Sequence, residues 1–208
     1  LKAIARWERG AQRSNGAQNM PNYLEKADDA AAIIAGAQRI MIVGCSGGGK
    51  STLSRKLVRR FGLEYISMDR EIFWLPGWQL RPRAEQRERI ADFVAGERWL
   101  MDGSNPSSFD LRLPRTDIVI WVRMPRWLCL WGATSRIVKG YGKARPEMAQ
   151  GCPERLDREF LRYIWNFERR HAPLFEQNFD LYGPDVPVWQ LKSRKQLRRL
   201  LDLLHIED

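Results

Sequence analysis

The octapeptide Gly44-Cys45-Ser46-Gly47-Gly48-Gly49-Lys50-Ser51 constrains this chain more than any other segment. It satisfies G-x-x-x-x-G-K-[ST] at every fixed position, and at average residue usage a chance match in a chain this long arises on the order of once in a hundred. The flanks agree with it. Arg39-Ile40-Met41-Ile42-Val43 is an apolar run that predicts a buried strand entering the loop. Residues 51–61 predict a helix leaving it, with Leu53, Leu57, Val58 and Phe61 on one side and Gly62 placed to stop it. Strand, glycine loop and helix in that order are the context the motif demands.

The residue types follow from phosphate chemistry. Glycines let the backbone fold tightly and turn several N–H groups toward one anion, since no Cβ obstructs the approach. The helix opening at Lys50, with Ser51 and Thr52 in its first turn, adds unpaired N–H groups and the positive end of its dipole. Lys50 is expected to reach the β- and γ-phosphates, and the Ser51 hydroxyl to take a Mg²⁺ position. A nucleoside triphosphate site is the expectation, with residues 44–52 as its binding set. Cys45 lies inside the loop. Lys50 and the loop amides would lower its pKa; otherwise it is only a residue small enough to fit.

At 208 residues the chain suits one α/β domain with a small insert. Its net charge of +10 points to an anionic partner: nucleotide phosphates, nucleic acid or a membrane surface. The basic residues are spread along the chain and not gathered in a tail, so the charge alone does not choose; a solvated basic surface serving a phosphate pocket is the default expectation, ahead of nucleic-acid binding. Cys45, Cys129 and Cys152 show no C-x-x-C spacing, arguing against a zinc site or disulfide framework and for a reducing, cytoplasmic setting. No apolar run approaches bilayer length. The chain opens on Leu1, without an initiator methionine. Met20 is an alternative start, which would make residues 1–19 an extension.

Along the chain, residues 1–21 lack a clear period and are expected to be loosely attached, while 23–37 are alanine-rich and predict a helix. Strands are expected at 64–67, 99–101, 117–122 and 186–191, and helices at 83–94, 125–138, 154–170 and 195–204. Pro187 lacks a backbone donor, so the last strand is expected at a sheet edge. Residues 139–153 hold three glycines, two prolines and three basic residues, and read as a flexible insert too polar for the core. The division expected is an N-terminal extension over 1–38 and an α/β domain over 39–208. The alternation implies a parallel sheet wrapped by helices.

Five further stretches allow a comparison: SMDREIFWLPGW, WLMDGSN, FDLRLPRTDIVIWVRMPRWLCL, RPEMAQGCPERLDREFLRYIWNF and the extended loop VGCSGGGKSTLSRKL. Together they resemble the adenylate-kinase-related proteins of bacteria called topology modulation proteins, over about residues 39–199. The resemblance implies a phosphate-loop kinase fold with five parallel strands, ATP as phosphoryl donor and a small acceptor, nucleotide or nucleoside-like. It implies that Asp102, before Gly103, holds Mg²⁺ through water, an Asp-Gly turn being the alternative. It gives the 139–153 insert as a lid whose Arg136 and Arg145 close over the transferring group, where a solvated basic loop is the alternative. Asp69 lies where similar kinases of hydroxyl compounds carry an aspartate that contacts the acceptor and receives its proton; otherwise it caps a helix. Arg112 is a further phosphate-contact candidate and Arg83 a weaker one. Trp74 and Trp78 bracket Pro76-Gly77, suited either to stacking a ring or to core packing. Ser193-Arg194-Lys195 falls where related kinases pass beside adenine, or simply opens a helix. An ATP-binding nucleic-acid or regulatory protein is the competing reading, supported by the charge and by the group's name.

Overall fold

The computed structural model describes residues 21–142, 146–153 and 157–207. In chain order the first half comprises β1 (Tyr23–Leu24), α1 (Ala27–Gly36), β2 (Arg39–Gly44), α2 (Lys50–Phe61), β3 (Glu64–Ser67), the short hairpin strands β4 (Trp74–Leu75) and β5 (Gln79–Leu80), and α3 (Arg83–Ala95). The second half comprises β6 (Trp99–Asp102), α4 (Phe109–Arg112), β7 (Ile118–Val122), α5 (Arg126–Gly140), α6 (Arg158–Tyr182), β8 (Val188–Leu191) and α7 (Arg194–Leu203).

The main sheet has the order β1-β8-β7-β2-β6-β3, and every pairing is parallel. Parallel sheets need cover on both faces, so their strands read as apolar runs. Accordingly Ile40–Val43 and the five residues of β7 are all buried. β2 lies between β7 and β6, which brings the loop after β2 beside the carboxyl ends of both neighbours. Ligands collect at that edge in open α/β sheets.

The sheet has six strands, not the five expected. The extra one is β1, from the segment expected to be an extension. Val188 N donates to Asn22 O at 2.8 Å, and α1 buries Ala30 and Ile34 completely in the main core. β8 is consequently an interior strand, which corrects the edge placement drawn from Pro187. Pro187 sits just before the strand, where its carbonyl accepts from Val119 N at 2.9 Å and its missing donor costs nothing. The other expected residues of the N-terminal stretch, 1–20, lie outside the described residues.

The last long helix also departs from expectation. It runs to Tyr182, past Pro173, because Phe167, Ala172, Phe175 and Phe179 continue the buried stripe. Asp157 caps its start by accepting from Glu159 N and Phe160 N. The insert is only partly polar loop. Met148, Ala149 and Cys152 are buried and form a small cluster with Trp74 and Trp78. Trp78 N donates to Cys152 Sγ at 3.3 Å, tying residues 146–153 to the β4–β5 hairpin. Among the described residues, no helix is long and apolar enough to cross a membrane.

Asp117 sits at the opposite, amino edge of the sheet. Its Oδ2 accepts from Gln38 N and Arg39 N, both at 2.9 Å, and its Oδ1 from Arg39 Nη2 at 2.7 Å. Partial burial alone would raise its pKa, but the Arg39 side chain and the two backbone donors outweigh that and hold it below the usual carboxylate range. A depressed carboxylate pKa stabilises the fold above the unfolded value, and the stabilisation is lost as pH falls through the folded one. Asp117→Asn is expected to cost about 1–3 kcal/mol in urea denaturation at pH 7. The difference from wild type should shrink as the pH is taken below the carboxylate range; an equal midpoint at pH 7 would contradict the clamp.

Candidate active site

The loop between β2 and α2 is held from two sides. Gly44 N donates to Ser104 Oγ at 2.8 Å, and that hydroxyl donates to Gly44 O at 3.0 Å, joining the loop to the segment after β6. On the other side the loop presses on α5: a Cβ on Gly47 would lie 2.0 Å from Cys129 O, and one on Gly132 would lie 2.3 Å from Gly47 O. Gly49 adopts φ +95°, a left-handed turn that sets the start of α2. The first N–H groups of a helix have no intrahelical acceptors, so Lys50, Ser51 and Thr52 present backbone donors at the loop. Lys50 Nζ folds back to donate to Cys45 O at 3.0 Å, holding its charge over the loop.

Cys45 is not an activated thiol. Its thiol is hydrogen-bonded with the Cys129 thiol and is buried, and in that order the two effects push its pKa up, against a smaller opposing pull from Lys50. The reading of a small residue that fits is the one the geometry supports.

Asp102 ends β6, buried to 5% exposure, and its Oδ2 accepts from Tyr65 Oη at 3.1 Å. The Tyr65 hydroxyl is also in hydrogen-bonding contact with the Ser51 side chain. Burial first, then the Asp102 carboxylate, raises the Tyr65 pKa, so it stays a protonated donor. Ser51 and Asp102 are thereby brought to one locus. Asp69 lies in a π-helical turn (Met68–Phe73) after β3. Ser67, not Asp69, caps that turn, accepting from Arg70 N at 3.4 Å. The capping alternative for Asp69 therefore falls.

These groups share a single cavity of about 710 Å³. Its phosphate-loop end is walled by Gly44, Lys50, Ser51, Asp102 and, from α5, Gly132 and Arg136. Its far end is walled by Asp69, Phe73, Trp74 and Trp78; Tyr163 and Phe167 of α6 also line it, and Ile164 O of the same stretch meets Cys45 Sγ of the loop at 3.9 Å. Trp74 and Trp78 meet edge to face, 5.2 Å apart at 72°. Each ring packs on the insert, as the packing alternative has it, and each also lines the cavity. Arg145 lies outside the described residues.

Arg112 does not line the cavity. Its guanidinium is wholly buried behind it, donating from Nη1 to Gly103 O at 2.9 Å and from Nη2 to Asn105 O at 3.1 Å. The phosphate-contact expectation is corrected: the side chain braces the loop that carries Asp102 and Ser104. Arg83 is exposed at the start of α3, away from the cavity lining. Ser193 caps α7, accepting from Gln196 N, which makes this stretch a helix start.

Several lining residues were missed by sequence reasoning. Glu147 is buried within the insert, ion-paired to Arg55 of α2, and its carbonyl accepts from Ser67 Oγ at 2.8 Å. Nothing in its sequence neighbourhood marks it. Phe160, Tyr163, Phe167, His171 and Leu174 line the cavity from one side of α6. Their spacing of three and four was legible as a second stripe beside the core one. Tyr163 has its pKa raised by burial, then by Cys45 and Asp69, so it too remains a neutral phenol.

No family model and no curated protein matches this chain. Among solved structures, shikimate kinase from Bacteroides thetaiotaomicron is 19% identical over 82% of this chain and 99% of its own, with a TM-score of 0.47. Shikimate kinase from Acinetobacter baumannii, in complex with shikimate, is 15% identical over 84% and 97%, TM-score 0.46. Deoxyadenosine kinase from M. mycoides with bound dCTP is 16% identical over 80% and 98%, TM-score 0.43. Identities and scores this low speak to neither substrate nor chemistry, which rest on this chain's own residues.

Proposed function

We propose that the chain is an ATP- and Mg²⁺-dependent phosphotransferase of the phosphate-loop kinase class, moving the γ-phosphoryl group to a small acceptor that is a nucleotide or nucleoside-like molecule. One observation carries the reading: the glycine loop with Lys50, the acidic strand end Asp102, Asp69 and Arg136 converge on one cavity. In phosphoryl transfer the protein works mainly by positioning and by neutralising charge. The loop amides and Lys50 grip the β- and γ-phosphates. Arg136 and Arg145 close over the transferring group, their planar forks matching its oxygens. Asp69 orients the acceptor and takes its proton.

The metal suits the residues present. Ser51 and Asp102 offer oxygen donors only, as a hard cation prefers, and Tyr65 fixes the carboxylate beside the hydroxyl. Among the described residues no group of three or more His, Cys, Asp or Glu forms a metal cage, as fits an ion held chiefly through substrate phosphates. When bound, Mg²⁺ held by Ser51 and Asp102 would supply positive charge to neutralise those phosphates. The free thiols of Cys45, Cys129 and Cys152 suit a reducing, cytoplasmic setting.

Calorimetry with Mg-ATP, followed by ADP formation against panels of nucleotides, nucleosides and nucleic acid, tests the reading. No affinity for ATP or GTP in folded protein would end it, and stimulation by DNA or RNA alone would favour the nucleic-acid reading instead. A second test uses the contact between α5 and the loop. Gly132→Ala should favour the helix by about 1 kcal/mol in propensity, yet its methyl group must displace Gly47. Mg-ATP affinity is expected to fall by about tenfold or more while the helical signal is kept; unchanged affinity would show that the loop yields freely.

A further inference from the structure

Resting on that reading, we propose that the acceptor is an uncharged hydroxyl compound carrying a flat ring, of the nucleoside class, and not a phosphorylated one. Among the described residues, the arginines flanking the Asp69 turn and the loop after β6 are already spent on protein acceptors. Arg70 donates to Glu71 Oε1 at 2.6 Å and to Pro146 O at 3.0 Å. Arg81 donates to Ile72 O and pairs with Glu85. Arg87 donates to Asp110 Oδ2 at 2.6 Å and to Ser107 O at 3.0 Å. Arg89 donates to Glu71 O at 2.8 Å, and Arg112 braces Gly103 and Asn105. None of these five lines the cavity.

Among the described residues, the permanent cations that do line it are Lys50, Arg55 and Arg136. Lys50 and Arg136 belong to the phosphate-loop end, and Arg55 is matched by the buried carboxylate of Glu147. Four lining carboxylates oppose these three: Asp69, Asp102, Glu147 and Asp157. A phosphomonoester carries about −1.5 to −2 charges at neutral pH and needs unspent donors around it. Among the described lining residues the carboxylates already outnumber the cations, and a phosphomonoester would add to the side in excess. The aromatic lining points the same way. Trp74, Trp78, Tyr163 and Phe167 all line the cavity and offer rigid ring surfaces for a planar group at little cost in side-chain entropy.

The transfer then balances simply. The acceptor hydroxyl oxygen forms a bond to the γ-phosphorus as the bond from that phosphorus to the bridging oxygen breaks. ADP leaves with the electron pair, and the hydroxyl proton passes to the Asp69 carboxylate and on to solvent.

The test measures ADP release from Mg-ATP by the full chain, with ribonucleosides and deoxyribonucleosides each run beside its 5′-monophosphate and beside a cyclic polyol without an aromatic ring. The expected kcat/KM for the best nucleoside exceeds that of its monophosphate by about 100-fold or more. A monophosphate accepted equally or better overturns the proposal and leaves the kinase reading standing. So does turnover of the polyol alone, or no acceptor turnover in protein that binds Mg-ATP. Absence of Mg-ATP binding removes the kinase reading itself, and the proposal with it.

Discussion

Lys50→Ala is expected to reduce phosphoryl transfer by about 10³-fold while leaving the fold intact. The two halves of that expectation rest on different contacts. For the fold, the Lys50 side chain makes one bond, to Cys45 O, on the partly exposed rim of the loop. α2 is held instead by Leu53 and Leu57, at 2% and 0% exposure, and is closed by Gly62 in a left-handed cap. The thermal midpoint should therefore move by no more than a few degrees. For the chemistry, Lys50 is the cation that the phosphate loop itself carries, and charge develops on the phosphoryl oxygens and on the departing bridge oxygen as transfer proceeds. A methyl group leaves the loop amides in place but withdraws the ammonium from the phosphates they hold. Mg-ATP binding should weaken and kcat should fall further. Steady-state ADP release and circular dichroism check the two halves separately. Turnover within tenfold of wild type in a folded variant would remove Lys50 from the mechanism.

How much of this was legible in the sequence depends on whether the signal was local. β2, the loop and α2 were read to within a residue, because an apolar run, glycines at fixed spacing and a helix stop are all carried by consecutive residues. Asp102 was placed by the same logic, as the carboxyl end of a strand beside the loop. Failures arose where a long-range partner decides. Tyr23-Leu24 is too short to announce a strand, and becomes one only because β8 offers an edge. The polar composition of 139–153 hid Met148, Ala149 and Cys152, whose burial depends on Trp74 and Trp78 roughly seventy residues earlier in the chain. Arg112 was misread for a related reason. Its phosphate role came from the DLRL segment of the resemblance, and nothing in FDLRLPR tells that both prongs of its fork are absorbed by carbonyls of the preceding loop.

That misread arginine carries the second large effect. Arg112→Ala is expected to cost roughly 3 kcal/mol or more, since Gly103 O and Asn105 O lose their buried donors and a cavity opens behind them. For a chain of this size the loss corresponds to a thermal midpoint lower by about 6–12 °C. Retaining a buried guanidinium is itself costly. Burial lowers its pKa to about 9, with Asp110 the nearest compensating charge, and it still carries its proton at neutral pH. The ring of Phe109 lies 4.9 Å from the guanidinium carbon and contributes a cation–π contact. Arg112 therefore acts on activity only through position: it holds Gly103 and Asn105, and with them Asp102 and the Ser104 hydroxyl that clasps Gly44. A variant stable enough to assay at low temperature should show weaker Mg²⁺ dependence of ATP binding, because Asp102 no longer stands fixed beside Ser51. Arg112→Lys offers one donor in place of a two-pronged fork and should recover only part of the stability. If the alanine variant melted with wild type, the brace would be superfluous, and the rigidity of the Asp102 loop would have to come from the Ser104–Gly44 clasp alone.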